Sequence, residues 1–194
     1  MMRICVFCGS SLGTHPQYLE AVRGFAREAV AKGITLVYGG GKVGLMGVLA
    51  DAALQTGGQV VGVMTRALQN REIAHEAITE LHIVETMHER KAKMAELADA
   101  FVALPGGAGT LEEICEQWTW AQLGIHRKPC GFLNVQGYYD PLRSLIDHMT
   151  AEGFVRSQHR AMLLFEQDAP RLIASFRSYT APASKWEEGE TPKP

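Results

Sequence analysis

The stretch Asp99-Ala100-Phe101-Val102-Ala103-Leu104-Pro105-Gly106-Gly107-Ala108-Gly109-Thr110-Leu111-Glu112-Glu113 decides the fold. Its first six residues make a short apolar run that reads as a buried strand. From Leu111 to Leu123 apolar residues recur at helical spacing. Between the two lies a proline followed by closely spaced glycines. Glycines between a strand end and a helix start leave backbone N–H groups uncovered, and the positive end of the helix dipole adds to them. Such a junction suits a phosphate group. A carboxylate on the first turn of the same helix would be repelled by that phosphate, so Glu113 is better placed beside the phosphate than on it.

The same alternation runs through the chain. Strands are predicted at 3–8, 34–38, 59–64, 81–85, 100–104, 131–135 and 163–165, and helices at 16–32, 44–56, 87–97, 110–123, 141–152 and 169–176. In the first helix Leu19, Val22, Ala26, Ala29 and Val30 form one stripe and Gly33 follows as a stop. The fold class is therefore α/β, a Rossmann-like doubly wound parallel sheet of about seven strands flanked by helices. One domain is expected over residues 1–179. Residues 180–194, rich in Pro, Glu and Lys, read as a disordered tail.

In such sheets ligands lie beyond the carboxyl ends of the strands. Three glycine loops are delivered to that edge, holding Gly9 and Ser10, Gly39, Gly40, Gly41 and Gly44, and Gly106 with the residues after it. Three on one edge point to a ligand lying close to backbone. Gly39-Gly40-Gly41-Lys42-Val43-Gly44 also matches the dinucleotide fingerprint G-x-G-x-x-G, but on the second strand, and the next strand ends Met64-Thr65-Arg66 with no acid for a ribose. A glycine turn shaping a nucleotide pocket is the better account.

At 194 residues, 46% hydrophobic and 21% charged, the chain has the composition of an ordinary globular domain. A net charge of -2 with no basic block gives no footprint for nucleic acid, and no apolar run reaches the roughly 18 residues of a membrane span. A strand at the very start, with no leader pattern, leads us to expect a cytoplasmic protein. Cys5 and Cys8 are three apart in a strand and point to opposite faces, so they can share neither a metal nor a disulfide. Cys115 and Cys130 have no partner at ligand spacing, and His75-Glu76 and His88-Glu89 lack the second histidine of a zinc helix. No metal site and no disulfide are expected.

Two charged residues stand out. Arg90 shares a helical face with Met87, Met94 and Leu97, a guanidinium in the middle of an apolar stripe. It is either a snorkelling or ion-paired side chain, or an arginine aimed at a substrate. Glu113 follows Thr110 at the spacing of a capping box, with Thr110 as N-cap, which would explain both residues without any function. The Pro-Gly-Gly entry is more than a simple cap requires.

Pro105-Gly106-Gly107-x-Gly109-Thr110-x-x-Glu113, with Met87-His88-Glu89-Arg90-Lys91 upstream, resembles the LONELY GUY family of cytokinin-activating phosphoribohydrolases, long labelled lysine decarboxylases. The runs Tyr38 to Gly47, Trp120 to His126 and Asn134 to Tyr139 extend the resemblance to nearly all of the chain but the tail. One departure is Ala108, where plant members often carry Tyr. The resemblance implies Arg90 and Glu113 as the catalytic pair. It implies substrate contacts from Glu72, Arg90, Lys91, Gly107, Ala108, Gly109, Thr110, Leu111, Glu112, Glu113 and Thr119. It further implies hydrolysis of the N-glycosidic bond of N6-substituted adenosine 5′-monophosphates, with AMP also accepted, and a homodimer. No cofactor is expected, because the chain offers no ligand cluster and the chemistry needs only water. The residue chemistry agrees, since a carboxylate beside C1′ stabilises an oxocarbenium-like state while glycine-loop N–H groups hold the phosphate. A non-catalytic nucleotide-binding protein of the same fold would keep the glycine loops but has no need of both Arg90 and Glu113.

Overall fold

Short apolar runs bounded by turn residues become strands, and the inner ones are buried on both faces, which is why they do not alternate in polarity. A computed structural model of the protein describes residues 1–69 and 74–186. Among these, β1 (Arg3–Phe7), β2 (Thr35–Tyr38), β3 (Val60–Thr65), β4 (Glu80–Val84), β5 (Ala100–Ala103), β6 (Cys130–Leu133) and β7 (Leu163–Glu166) form one sheet in the order β4-β3-β2-β1-β5-β6-β7. Every neighbouring pair is parallel. The order reverses at β1, whose Val6 pairs with Tyr38 on one side and with Val102 on the other. This is the switch point at which such sheets open a crevice.

Two apolar cores sandwich the sheet. Ile4 and Val6 of β1 face α1 (Pro16–Ala31), α2 (Gly44–Gln55) and α8 (Ala169–Ser178). Cys5 and Phe7 face α4 (Met87–Leu97), α5 (Ala108–Gln122) and α6 (Asp140–Ala151). Cys8 joins the first core and Cys5 the second, so the two thiols lie on opposite sides, and all four cysteines are free. No helix among the described residues is long and apolar enough to cross a membrane.

Three small elements escape the sequence: α3 (Arg66–Gln69), α7 (Ser157–Arg160) and a 3-10 turn at Val135–Gly137. Four residues or fewer are too short to show helical periodicity. The strand expected over 131–135 stops at Leu133, because the Asn134 side-chain carbonyl accepts from the Tyr139 N–H at 2.7 Å and turns the chain. The first residues of the stretch expected to be a disordered tail pack against the domain instead. Ser184 is buried against Gly124, and the Lys185 N–H donates to the Gln122 carbonyl at 2.9 Å. Residues 187–194 of that tail lie outside the described residues.

Candidate active site

At the switch point a cavity of about 360 Å³ opens beyond the carboxyl ends of β1 and β5. The loop after β1 contributes Cys8, Gly9 and Ser10, and the start of α5 contributes Gly107, Ala108, Gly109 and Thr110, then Glu112 and Glu113. Met46 of α2, Leu68 of α3 and Met87 and Arg90 of α4 complete the wall. The two glycine loops are stitched together. The Gly9 N–H donates to the Pro105 carbonyl at 3.1 Å, and the Leu45 N–H donates to the Gly9 carbonyl at 3.0 Å. A Cβ on Gly106 would collide with the Thr110 hydroxyl and the Gly9 nitrogen, so only glycine lets the loops meet.

The N-cap of α5 is Gly107, which puts Thr110 in the first turn and Glu113 at the sixth helical position. The capping-box reading of these two residues is thereby overturned: a side chain six positions in cannot reach back to the cap. Thr110 is buried with its hydroxyl beside Gly106. The first-turn N–H groups of α5, which no carbonyl of the helix can reach, stand at the cavity wall. A capping box does exist, one helix earlier. The Glu89 N–H donates to the Thr86 hydroxyl at 3.1 Å, and the Glu89 carboxylate accepts from the Thr86 N–H at 3.3 Å, fixing the start of α4.

That start aims Arg90 into the molecule, where it is only 6% exposed. Its Nε donates to the Val63 carbonyl at 3.0 Å and its Nη2 to the Gly39 carbonyl at 3.4 Å. Its Nη1 faces Glu113 Oε1 at 3.4 Å, and that carboxylate is itself mostly buried. Arg90 is thus a buried ion-pair partner and at the same time part of the cavity wall. Lys91, the next residue, faces elsewhere. Its ammonium bonds Glu112 at 2.6 Å and Glu116 at 3.0 Å, tying α4 to α5. Burial pulls its pKa down, but the two carboxylates outweigh that and leave it raised.

The other expected contacts divide. Gly9, Ser10, Gly107, Ala108, Gly109, Thr110, Glu112 and Glu113 line the cavity; Lys91, Leu111 and Thr119 do not. Leu111 packs toward the second core, while Thr119 is exposed further along α5 with its hydroxyl donating to the Cys115 carbonyl at 2.8 Å. Gly39, Gly40, Gly41 and Gly44 also lie off the cavity wall. The Gly40 carbonyl accepts from the His75 N–H at 3.0 Å, Gly41 bridges to Ala74, and Gly44 packs on the Ser10 backbone. Glu72 lies outside the described residues.

Sequence reasoning missed Cys8, Met46, Leu68 and Met87 as wall residues. Met87 could have been found, standing one turn before Arg90 on the same face; Leu68, in a four-residue helix, carried no signal. A second cavity of about 250 Å³ shares Gly9, Ser10 and Gly107 with the first and has Tyr18 and Tyr138 on its walls. The Tyr138 hydroxyl donates to the Gly106 carbonyl and the Tyr139 hydroxyl to the Leu104 carbonyl, each at 2.7 Å, so this turn braces the glycine junction from behind. Among the described residues no group of three or more His, Cys, Asp or Glu could hold a metal ion.

Residues 46–176 match a family model described as a possible lysine decarboxylase. Solved structures of similar shape include the molybdenum cofactor carrier protein of Chlamydomonas reinhardtii, with a TM-score of 0.68 and 18% identity over 91% of this chain and 96% of that one. The molybdenum cofactor binding protein of Rippkaea orientalis matches equally well, with a TM-score of 0.68 and 17% identity over 91% and 96%. At such identities the likeness is one of fold. Similarity of sequence is much greater to a probable cytokinin riboside 5′-monophosphate phosphoribohydrolase of Oryza sativa subsp. japonica, 48% identical over 97% of this chain and 87% of that protein. A cytokinin riboside 5′-monophosphate phosphoribohydrolase of Arabidopsis thaliana is 51% identical over 91% of this chain and 82% of its own length. With half of its residues shared along nearly its whole length, the chain belongs to the LONELY GUY family of cytokinin riboside 5′-monophosphate phosphoribohydrolases.

Proposed function

We propose that the cavity hydrolyses the N-glycosidic bond of a nucleoside 5′-monophosphate, with N6-prenylated adenine as the preferred base and AMP also accepted. The observation that carries this reading is the buried Arg90–Glu113 pair on the same wall as the uncovered N–H groups of α5. Gly109 and Glu113 are four residues apart, about 6 Å of helix rise, comparable with the reach from a 5′-phosphate to C1′. The first turn of α5 holds the phosphate and Glu113 lies beside the ribose. As the C1′–N bond breaks, its electron pair goes to the base and positive charge spreads over C1′ and the ring oxygen. The Glu113 carboxylate stabilises that charge and orients the attacking water, while Arg90 fixes the carboxylate in place. Water adds to C1′ and its proton passes to the base, so base and ribose 5-phosphate leave with no other reactant.

The older lysine decarboxylase label fits poorly. A pyridoxal phosphate enzyme needs a lysine in its cavity, and no lysine is on this wall among the described residues, Lys91 being taken by Glu112 and Glu116. The test is incubation with isopentenyl-AMP, AMP and adenosine, with free base and ribose 5-phosphate as readouts. Both nucleotides are expected to be cleaved. Adenosine should have a kcat/KM at least about a hundredfold lower, since it forgoes charge-assisted bonds worth roughly 3 kcal/mol. Nucleotide that binds and is never cleaved would make the protein a carrier.

The same proposal includes a homodimer. Thr119 stands about 9 Å along α5 from Glu113, and the exposed Leu123 and Ile125 continue beyond it. A second copy against this face would bring Thr119 into a covered site. Sedimentation equilibrium is expected to give twice the 21.3 kDa chain mass, and a monomer at micromolar concentration would refute it.

A further inference from the structure

We propose that Gly39 is a positioning residue for the catalytic pair: its missing side chain makes the seat of the Arg90 guanidinium, so this first glycine of the turn after β2 serves Arg90 and not a bound nucleotide. The assignment rests on the reading of Arg90 and Glu113 given above. Residues 39–44 are spaced like a dinucleotide-binding turn, yet none of them lies on the wall of either cavity at the switch point. What Gly39 does touch is Arg90. Its carbonyl accepts from Nη2, and a Cβ built on it would overlap that same nitrogen.

Backbone conformation does not demand glycine here, because Gly39 is not among the residues with positive φ. The other atoms near such a Cβ, Met46 Sδ at 3.4 Å and Arg90 Cζ at 3.5 Å, are at ordinary contact distance. The collision is therefore with the head of one side chain. That head is held on its other sides by the Val63 carbonyl and by Glu113. A methyl group at position 39 displaces the guanidinium from Glu113, but it meets no backbone, so the sheet and helices need not move. Activity, more than folding, depends on this glycine.

Gly39→Ala is the test, with Gly24→Ala as a control at an exposed helical glycine where a Cβ meets nothing. Gly39→Ala is expected to lower kcat on AMP about 10²-fold, the cost of misplacing a catalytic group by about an ångström. KM should stay within about threefold, because the phosphate is held by α5, and the melting temperature should stay near that of wild type. In an Arg90→Ala background the same substitution should cost less than about threefold in kcat. A readout free of activity is the ¹⁵N resonance of Arg90 Nε–H, assigned by its loss in Arg90→Ala. Gly39→Ala should shift it and speed its exchange with solvent. If wild-type protein releases no base from any nucleotide, the functional reading fails while this resonance still decides the seat. Wild-type kcat in Gly39→Ala, equal losses in both backgrounds, or an unmoved resonance would each overturn the proposal. Should Gly39→Ala fail to fold, the double variant with Arg90→Ala is expected to fold, and its failure also overturns the proposal.

Discussion

Glu113 presents a mostly buried carboxylate to the cavity with a guanidinium 3.4 Å away, and a charge so placed is costly unless its surroundings are built for it. Glu113→Gln keeps the volume and an oxygen for Arg90 Nη1 while removing the charge. Since position 113 is the sixth of its helix, no cap is lost with it. The variant is expected to melt near wild type and bind AMP, yet lose roughly 10²–10³ in kcat, as when one preorganised electrostatic group is removed. Retention of more than about a tenth of wild-type kcat, a barrier change below about 1.4 kcal/mol, would remove Glu113 from the chemistry. The sequence led to this residue through the Pro-Gly-Gly junction but misjudged its local geometry. Thr110-x-x-Glu113 and Thr86-x-x-Glu89 have the same spacing, and only the second is a capping box. What separates them is contact distant in sequence. Thr110 is buried against Gly106, with Gly9 alongside, and Gly107 is left to begin the helix, a position glycine fills at little cost.

At the scale of elements, the Arg90–Glu113 pair depends on how α4, α5 and the turn after β6 lock onto the β5–α5 junction. Lys91 ties α4 to α5 through Glu112 and Glu116, and Tyr138 and Tyr139 hold the junction carbonyls of Gly106 and Leu104. The Tyr138 ring also meets Tyr18 and Tyr139 edge to face, with centroids 5.5 Å and 4.9 Å apart. Tyr138→Phe preserves those ring contacts and deletes one hydrogen bond. Stability should fall by about 0.5–1.5 kcal/mol in chemical denaturation. With the Gly106 carbonyl released, the proposed phosphate anchor would loosen, so KM for AMP should rise severalfold with kcat nearly unchanged. A fall in kcat at constant KM would place Tyr138 in the chemistry instead. Elements of this length were legible where periodicity could develop: each of the six longer helices lies within two residues of its expected bounds at either end. Asn134 to Tyr139 was legible only as a resemblance, because its work is done by side-chain bonds to a loop some thirty residues away in sequence.

For the whole molecule, seven strands and a parallel sheet could be read from alternation, whereas their order could not. The pairing of β1 with β5 joins Cys5 to Phe101, and nothing local to either strand names the other. That pairing creates the switch point, and the second core packs behind it. His126 lies at the edge of this core, its ring tilted against Phe101 with centroids 5.1 Å apart, and the Lys128 N–H donates to its Nδ1 at 3.2 Å. Burial, helped by the Lys128 charge, pushes its pKa from 6.5 down to about 4. The folded protein thus keeps the ring neutral over a range in which the unfolded chain takes up a proton. Stability from this group is complete above the unfolded value and declines as pH falls from about 6.5 toward about 4. Urea unfolding followed across that range should show the midpoint dropping with pH. His126→Gln keeps an acceptor for the Lys128 N–H but cannot titrate, so its midpoint should change much less over the same window. A variant that tracks wild type throughout would show that the acid sensitivity of the fold arises elsewhere than at His126.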